Sequence, residues 1–198
     1  MTNDQTIEEA VKKLKELPKK KFDETVEIHI HLGIDPQKSD QTVRGSVVLP
    51  AGAPKQKKVV VIKNDAASEK LLADIEKSGT LDADVVIATP DMMPKIAKVA
   101  RILGPKGLMP NPKTGTVTPN PEEVLKELAG GKLSFKMDQL GNIHEAVAKV
   151  SWEAEKIADN IRALVEAVKN ARPASAKGEF LKNIVIKSTM SPAVRVTL

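Results

Sequence analysis

Apolar positions along the chain follow two different rhythms, and the change from one to the other divides it. Between residues 6 and 17, Ala10, Val11, Leu14 and Leu17 recur at helical spacing, with Thr6 and Glu9 at capping-box distance and Pro18 closing the run. A first helix is predicted there. From Val26 to Leu32 the period drops to two: Val26, Ile28, Ile30 and Leu32 alternate with Glu27, His29 and His31, as in a strand buried on one side. Val43 to Pro50 reads as a second strand, with a partner elsewhere in the sheet. After Pro50-Ala51-Gly52-Ala53-Pro54 the rhythm changes. Short continuous apolar runs at Val59–Ile62 and Val85–Ala88 alternate with helical patterns over Ala67–Lys77 and Met92–Leu103, and Pro121–Leu128 adds another helix. Such alternation predicts a parallel α/β layer.

Beyond Gly130-Gly131 the period of two returns. Leu133, Phe135 and Met137 alternate, residues 138–142 form a turn around Gly141, and Ile143–Val150 is predicted to return as the second arm of a hairpin. Ser151 is placed to cap a long helix carrying Ala154, Ile157, Ile161, Leu164 and Val168 on one face, with Pro173 after its end. A strand over Leu181–Lys187, a turn at Met190–Pro192 and a last strand over Val194–Leu198 complete the chain. Antiparallel segments at both ends around a parallel block imply an α/β (α+β) protein of two domains. The first is discontinuous, residues 1–53 and 132–198, with an antiparallel sheet and helices; the second, residues 54–131, is an inserted parallel, Rossmann-like α/β domain. Glycines mark both crossings, which reads as a paired hinge or as two ordinary loops.

Composition narrows the function classes. A chain of 198 residues buries a real core, and without cysteine it has neither disulfides nor thiolate metal sites. No apolar run has membrane-spanning length and no hydrophobic signal region opens the chain, so a soluble, cytoplasmic protein is expected, and it is taken as monomeric when free. The net charge of +5 and pI near 9.3 make nucleic acid a plausible partner. Phe22, Phe135, Trp152 and Phe180 are the only aromatic residues, too few for a platform that stacks two or three bases. An RNA partner would be read mainly through its backbone, 2′-hydroxyls and shape. Glu27, His29 and His31 share a strand face, but with no further histidine nearby in sequence they read as a solvated surface rather than a metal site. No metal or cofactor is expected, and no Ser/His/Asp arrangement or paired-acid site emerges.

The most distinctive stretch is Arg101 to Val117, RILGPKGLMPNPKTGTV, in which three glycines, three prolines, one arginine and two lysines occur without an acid. Its prolines stiffen it and its glycines permit turns and close backbone approach. Three readings fit these residues: a phosphate-cradling loop of a small nucleotide-binding α/β enzyme, lacking the P-loop ending; a GxxG clamp at Gly104-Pro105-Lys106-Gly107; or a structural turn with solvated lysines.

The full run closely resembles the signature of the family of the first protein of the large ribosomal subunit, the L-one family, in its bacterial form. The resemblance extends, in the same order, over Phe22-Asp23-Glu24-Thr25-Val26-Glu27, Leu32-Gly33-Ile34-Asp35-Pro36, Ala88-Thr89-Pro90-Asp91, Ala158-Asp159-Asn160-Ile161 and Ser188-Thr189-Met190-Ser191-Pro192. It implies a non-enzymatic structural protein of the ribosome. Such a protein binds large-subunit (23S) ribosomal RNA, forms the mobile stalk among other ribosomal components and assists release of E-site tRNA. It also represses translation of its own mRNA where that message mimics the ribosomal site. Carried onto this chain, the family's RNA contacts fall on Phe22, Glu27, Thr189 and Met190, and Ser191, next in the same turn, is taken with them. Lys21, Arg44, His144, Lys149 and Lys187 are added as polar or cationic neighbours, and Arg101, Gly104, Lys106, Gly107, Asn111 and Lys113 form the signature loop, a second candidate RNA contact. Two departures stand out. Ser191 replaces the family's usual glycine, a strained choice if that turn needs positive φ, and the inserted domain is short after Glu76.

Overall fold

A computed structural model describes residues 5–17, 21–36, 38–55, 58–78, 81, 83–112 and 115–197. The chain divides into two compact units, Met1–Pro54 with Gly130–Leu198, and Lys55–Ala129.

In the first unit, helix α1 (Ile7–Glu16) begins at a complete capping box and buries Ile7, Ala10, Val11 and Leu14. Strand β1 (Thr25–Leu32) follows, with Val26, Ile28, Ile30 and Leu32 inward and the intervening residues half-exposed. Strand β2 is Arg44–Val48. After the second unit come β5 (Lys132–Lys136), β6 (Asn142–Lys149), helix α6 (Ala154–Asn170), β7 (Leu181–Ser188) and β8 (Val194–Val196). The main sheet has the order β6-β1-β7-β8 and is antiparallel throughout; β2 and β5 form a separate antiparallel pair. One core joins them, with α1 and α6 adding Val11, Leu14, Ile157, Ile161, Leu164 and Val168 to the inward residues of β1. Fully burying each such aliphatic side chain is worth about 1.5–3 kcal/mol.

Two expectations fail here for physical reasons. β5 and β6 do not pair as a hairpin: Met137 N–H donates to Val43 O, continuing the β2–β5 ladder, and the Asp138 turn then redirects the chain beside β1. Period-two alternation identifies a buried face but not the neighbouring strand. Nor does Ser151 cap α6. The cap position is Glu153, without a side-chain hydrogen bond, while the Ser151 backbone N–H and hydroxyl both donate to the Asp23 carboxylate.

The two chain crossings lie side by side within this unit. Gly131, at φ +101°, is so close to Gly52 that a Cβ would sit 2.6 Å from the Gly52 Cα. Asn160, fully buried on α6, accepts from Ala51 N–H (3.0 Å) and donates to Gly52 O (3.1 Å) and Val147 O (2.7 Å). A single side chain thereby ties the end of the first segment to the helix and to β6.

The second unit is built on two parallel strands, β3 (Val59–Ile62) and β4 (Val85–Ala88), joined through helix α2 (Ala66–Ser78). A parallel bridge between Ala88 and Val117 extends the layer. The predicted helix over Met92–Leu103 is segmented: a 3-10 turn at Pro90–Met92, α3 (Met93–Lys98) and α4 (Ala100–Leu103). The break is at Val99, whose N–H bonds to Ile96 O three residues back while its side chain is buried. Helix α5 (Pro121–Ala129) closes the unit. Ile62, Leu72, Ile75, Val86, Met92, Ile96, Leu103 and Leu108 form its core.

Candidate nucleic-acid interface

Alternation along β1 sends Thr25, Glu27, His29 and His31 outward, and strand register decides what meets them. β6 places Lys149 opposite Thr25, His144 opposite His29 and Asn142 opposite His31; β7 places Lys187 opposite Glu27. Lys149 Nζ donates to Thr25 Oγ1 at 2.7 Å and reaches Asp23 O at 3.4 Å. Glu27, His144, Lys149 and Lys187, separated by up to 160 residues in sequence, therefore share one outer sheet face. Arg44 does not join them. It lies on β2 in the other sheet, opposite Lys136, with its Nε enclosed and without a hydrogen-bond partner among the described residues.

At one end of this face β7 runs into the turn Ser188–Ser191, which the start of β1 holds in place. Thr189 N–H donates to Thr25 O (3.1 Å) and Thr25 N–H to Thr189 Oγ1 (3.2 Å). Glu24, only 9% exposed, accepts from the Ser188 hydroxyl (2.7 Å) and from Met190 N–H (3.0 Å). Ser188 N–H donates to Ser191 Oγ at 2.8 Å. The turn requires no left-handed residue, since no described non-glycine residue has positive φ, so Ser191 occupies it without strain and adds a hydrogen bond. Met190 (65% exposed) and Phe22 (54%) both project into solvent. They are not core residues. Lys21 and Thr189 are exposed as well.

Sequence reading missed Glu24. The acid was visible just before β1, but its partners lie 164 and 166 residues away. It placed His29 on a solvated strand face but not its partner: His29 faces His144 with their Nδ1 atoms 2.7 Å apart, one ring donating and the other accepting. Glu27 Oε2 lies 3.7 Å from His29 Nε2, and Asp138 Oδ2 lies 3.3 Å from His144 Nε2. Burial, then the neighbouring His144, holds the His29 pKa below its ordinary value; Glu27 opposes the shift and Lys187 adds to it. Burial would raise the Asp138 carboxyl, but hydrogen bonds from Asn142 and Leu140 N–H, with Asn142 Nδ2 and His144, outweigh it and lower its pKa. Among the described residues no group of three His, Asp or Glu side chains is arranged to hold a metal.

In the second unit, Arg101, Gly104, Lys106 and Gly107 are exposed on a turn closed by Gly107 N–H to Gly104 O (3.0 Å), with Gly107 at φ +71°. Asn111 is half-buried and locked to Thr116, whose Oγ1 accepts from Asn111 N–H at 2.8 Å. Lys113 lies outside the described residues. The unit also has a cleft of about 520 Å³ beside the C-terminal ends of β3 and β4, touched by Lys63, Thr89, Asn120 and Lys126. Parallel sheets commonly hold nucleotides there, but Glu122 and Glu123 also line it and disfavour phosphate.

The family model described as the Ribosomal protein L1p/L10e family matches residues 12–80 and 67–192 of this chain. The chain belongs to that family. Among its relatives, a protein of Persephonella marina (strain DSM 14350 / EX-H1) named large ribosomal subunit protein uL1 is 46% identical over 207 residues, covering 96% of this chain and 86% of the relative. A protein of the same name from Protochlamydia amoebophila (strain UWE25) is 46% identical over 205 residues, covering 98% and 87%. The ribosomal L1p/L10e match includes every candidate residue on the sheet face and turn of the first unit as well as the basic loop of the second. No helix among the described residues is long and apolar enough to cross a membrane.

Proposed function

We propose that this chain is a non-enzymatic protein of the large ribosomal subunit that holds large-subunit ribosomal RNA through its first unit, the discontinuous domain drawn from both ends of the sequence. The observation that supports this most is the junction of Phe22–Glu27 with Ser188–Ser191. Glu24 fixes a turn that carries Thr189 and exposed Met190, and exposed Phe22 lines a cleft with Glu24 and Ser188 at the same junction. A hydroxyl, a thioether and an aromatic ring held ready at one junction suit the 2′-hydroxyls and the apolar faces of an RNA strand, and Lys21, Lys149 and Lys187 supply charge for phosphates. Arg101 and Lys106 on the second unit would serve as a second contact, to ribosomal RNA or to E-site tRNA. In this reading the protein forms a mobile stalk that assists tRNA release, and it represses its own message where that message carries the same RNA shape.

The test is a filter-binding titration of large-subunit RNA fragments across salt concentrations. One fragment should be retained with a linear log–log salt dependence. Thr189→Val should weaken that binding by about 1–3 kcal/mol. Retention of no fragment would overturn the reading, and unchanged affinity would remove Thr189 from the interface.

A further inference from the structure

Phe22 is an anomaly among the aromatic residues. Phe135 and Phe180 are buried at 2% and 6% exposure, whereas Phe22 is 54% exposed. Its ring lines a cleft of about 520 Å³ in the first unit, together with apolar Leu14, Leu17 and Val150. That volume falls in the range of small-molecule sites. We propose that this cleft receives one unpaired nucleobase of the bound RNA, stacked against Phe22. The proposal rests on the RNA-binding reading above and specifies what that surface takes in.

The lining chemistry favours a base over other occupants. Lys15 and Lys21 stand against Asp23 and Glu24, so cations and carboxylates balance and a free nucleotide's phosphates find no excess positive charge. An uncharged heterocycle on a backbone anchored elsewhere meets no such penalty. Asp23 is held rigidly by two donations from Ser151, at 3.2 and 2.9 Å, with acceptor capacity left for a base N–H. Lys15 Nζ gives one hydrogen to Trp152 O at 2.6 Å, keeping two for a ring nitrogen or base carbonyl. Glu24 and Ser188 line the same cleft and hold the Thr189–Met190 turn, so a strand crossing that turn passes the cleft. Sequence-specific RNA recognition works through such splayed-out bases stacked on aromatic rings. The scarcity of aromatics excludes a multi-base platform and leaves room for a single one.

The experiment uses the full chain and the large-subunit RNA fragment it protects from nuclease, with an abasic site introduced at each unpaired position in turn. One abasic RNA should bind the wild type about 5- to 150-fold more weakly, the loss expected of one base–aromatic stack. Phe22→Ala should lose the same factor on intact RNA and nothing further on that abasic RNA, and Phe22→Trp should restore the difference. Because Phe22 is exposed, Phe22→Ala should melt with the wild type; if it does not, Phe22→Leu takes its place in the comparison. An equal loss with Phe22→Ala on every RNA, whichever base is missing, would show the ring packing on ribose alone and overturn the proposal. So would no loss at all. A wild type that binds no fragment overturns the RNA reading as well, which separates the two failures.

Discussion

Replacing Glu24 by alanine tests the idea that the turn at Ser188–Ser191 is built before RNA arrives. Glu24 is 9% exposed, and its carboxylate accepts from the Ser188 hydroxyl at 2.7 Å and from Met190 N–H at 3.0 Å. Hydrogen bonds to a charged acceptor contribute about 1.5–3 kcal/mol each, and a buried donor left unpaired costs about 1–3 kcal/mol. The Ser188 hydroxyl can rotate to another acceptor, whereas the Met190 N–H is fixed by the backbone. One full loss and one partial loss give a destabilisation of about 2–4 kcal/mol, read as a lower urea midpoint with an unchanged slope. Both bonds fall on the same oxygen, Oε2, so the amide oxygen of Glu24→Gln can accept both and only the acceptor's charge is lost; that variant should lose less than Glu24→Ala. RNA affinity should fall with Glu24→Ala although Glu24 itself is buried, because Thr189 and Met190 lose their fixed placement, and should fall less with Glu24→Gln. A Glu24→Ala protein that unfolds at the wild-type midpoint, or that binds RNA as tightly as the wild type, would refute the reasoning.

Asn160→Ala strands three backbone groups at the chain crossing, Ala51 N–H, Gly52 O and Val147 O; a loss of about 2–5 kcal/mol is expected in a urea titration. Gly131→Ala forces a side chain onto a residue at φ +101° and against the Gly52 Cα, so the fold should lose about 1–3 kcal/mol from backbone strain alone, read as a lower thermal midpoint. The pH dependence follows from His29. Its folded pKa lies below 6.5, so between the two values the unfolded chain binds more protons. Its contribution to stability is therefore complete above pH 6.5 and declines as the pH falls through the folded value. NMR titration should place His29 below 6.5, with His144→Ala moving it part of the way back and burial accounting for the remainder.

What could be read from the chain in advance was whatever a local rule encodes. The alternation of Val26, Ile28, Ile30 and Leu32 gave the strand and its buried face, because a residue's side of a strand depends only on parity. Thr6 and Glu9 gave the start of α1, because a capping box spans three residues. Short apolar runs separated by helices indicated a parallel block, and β3 and β4 are parallel. What could not be read was set by pairing across long separations. Leu133, Phe135 and Met137 fit equally well against β6 or β2, and only the assembled sheet selects β2. Ser151 satisfies the local rule for a cap, yet Asp23, 128 residues earlier, takes its hydroxyl. Glu24, just before β1, and His29, within it, look like ordinary polar residues until β7 and β6 bring Ser188, Met190 and His144 to them. Arg44 failed to join the sheet face for the same reason, since β2 pairs with β5 instead of β1.

The most direct test of the central claim is amide hydrogen exchange of the whole chain with and without the ribosomal RNA fragment it binds. Slowed exchange over residues 21–27 and 187–191 is predicted, from the two ends of the sequence together. Slowing confined to residues 93–112, with both of those segments unchanged, would contradict it.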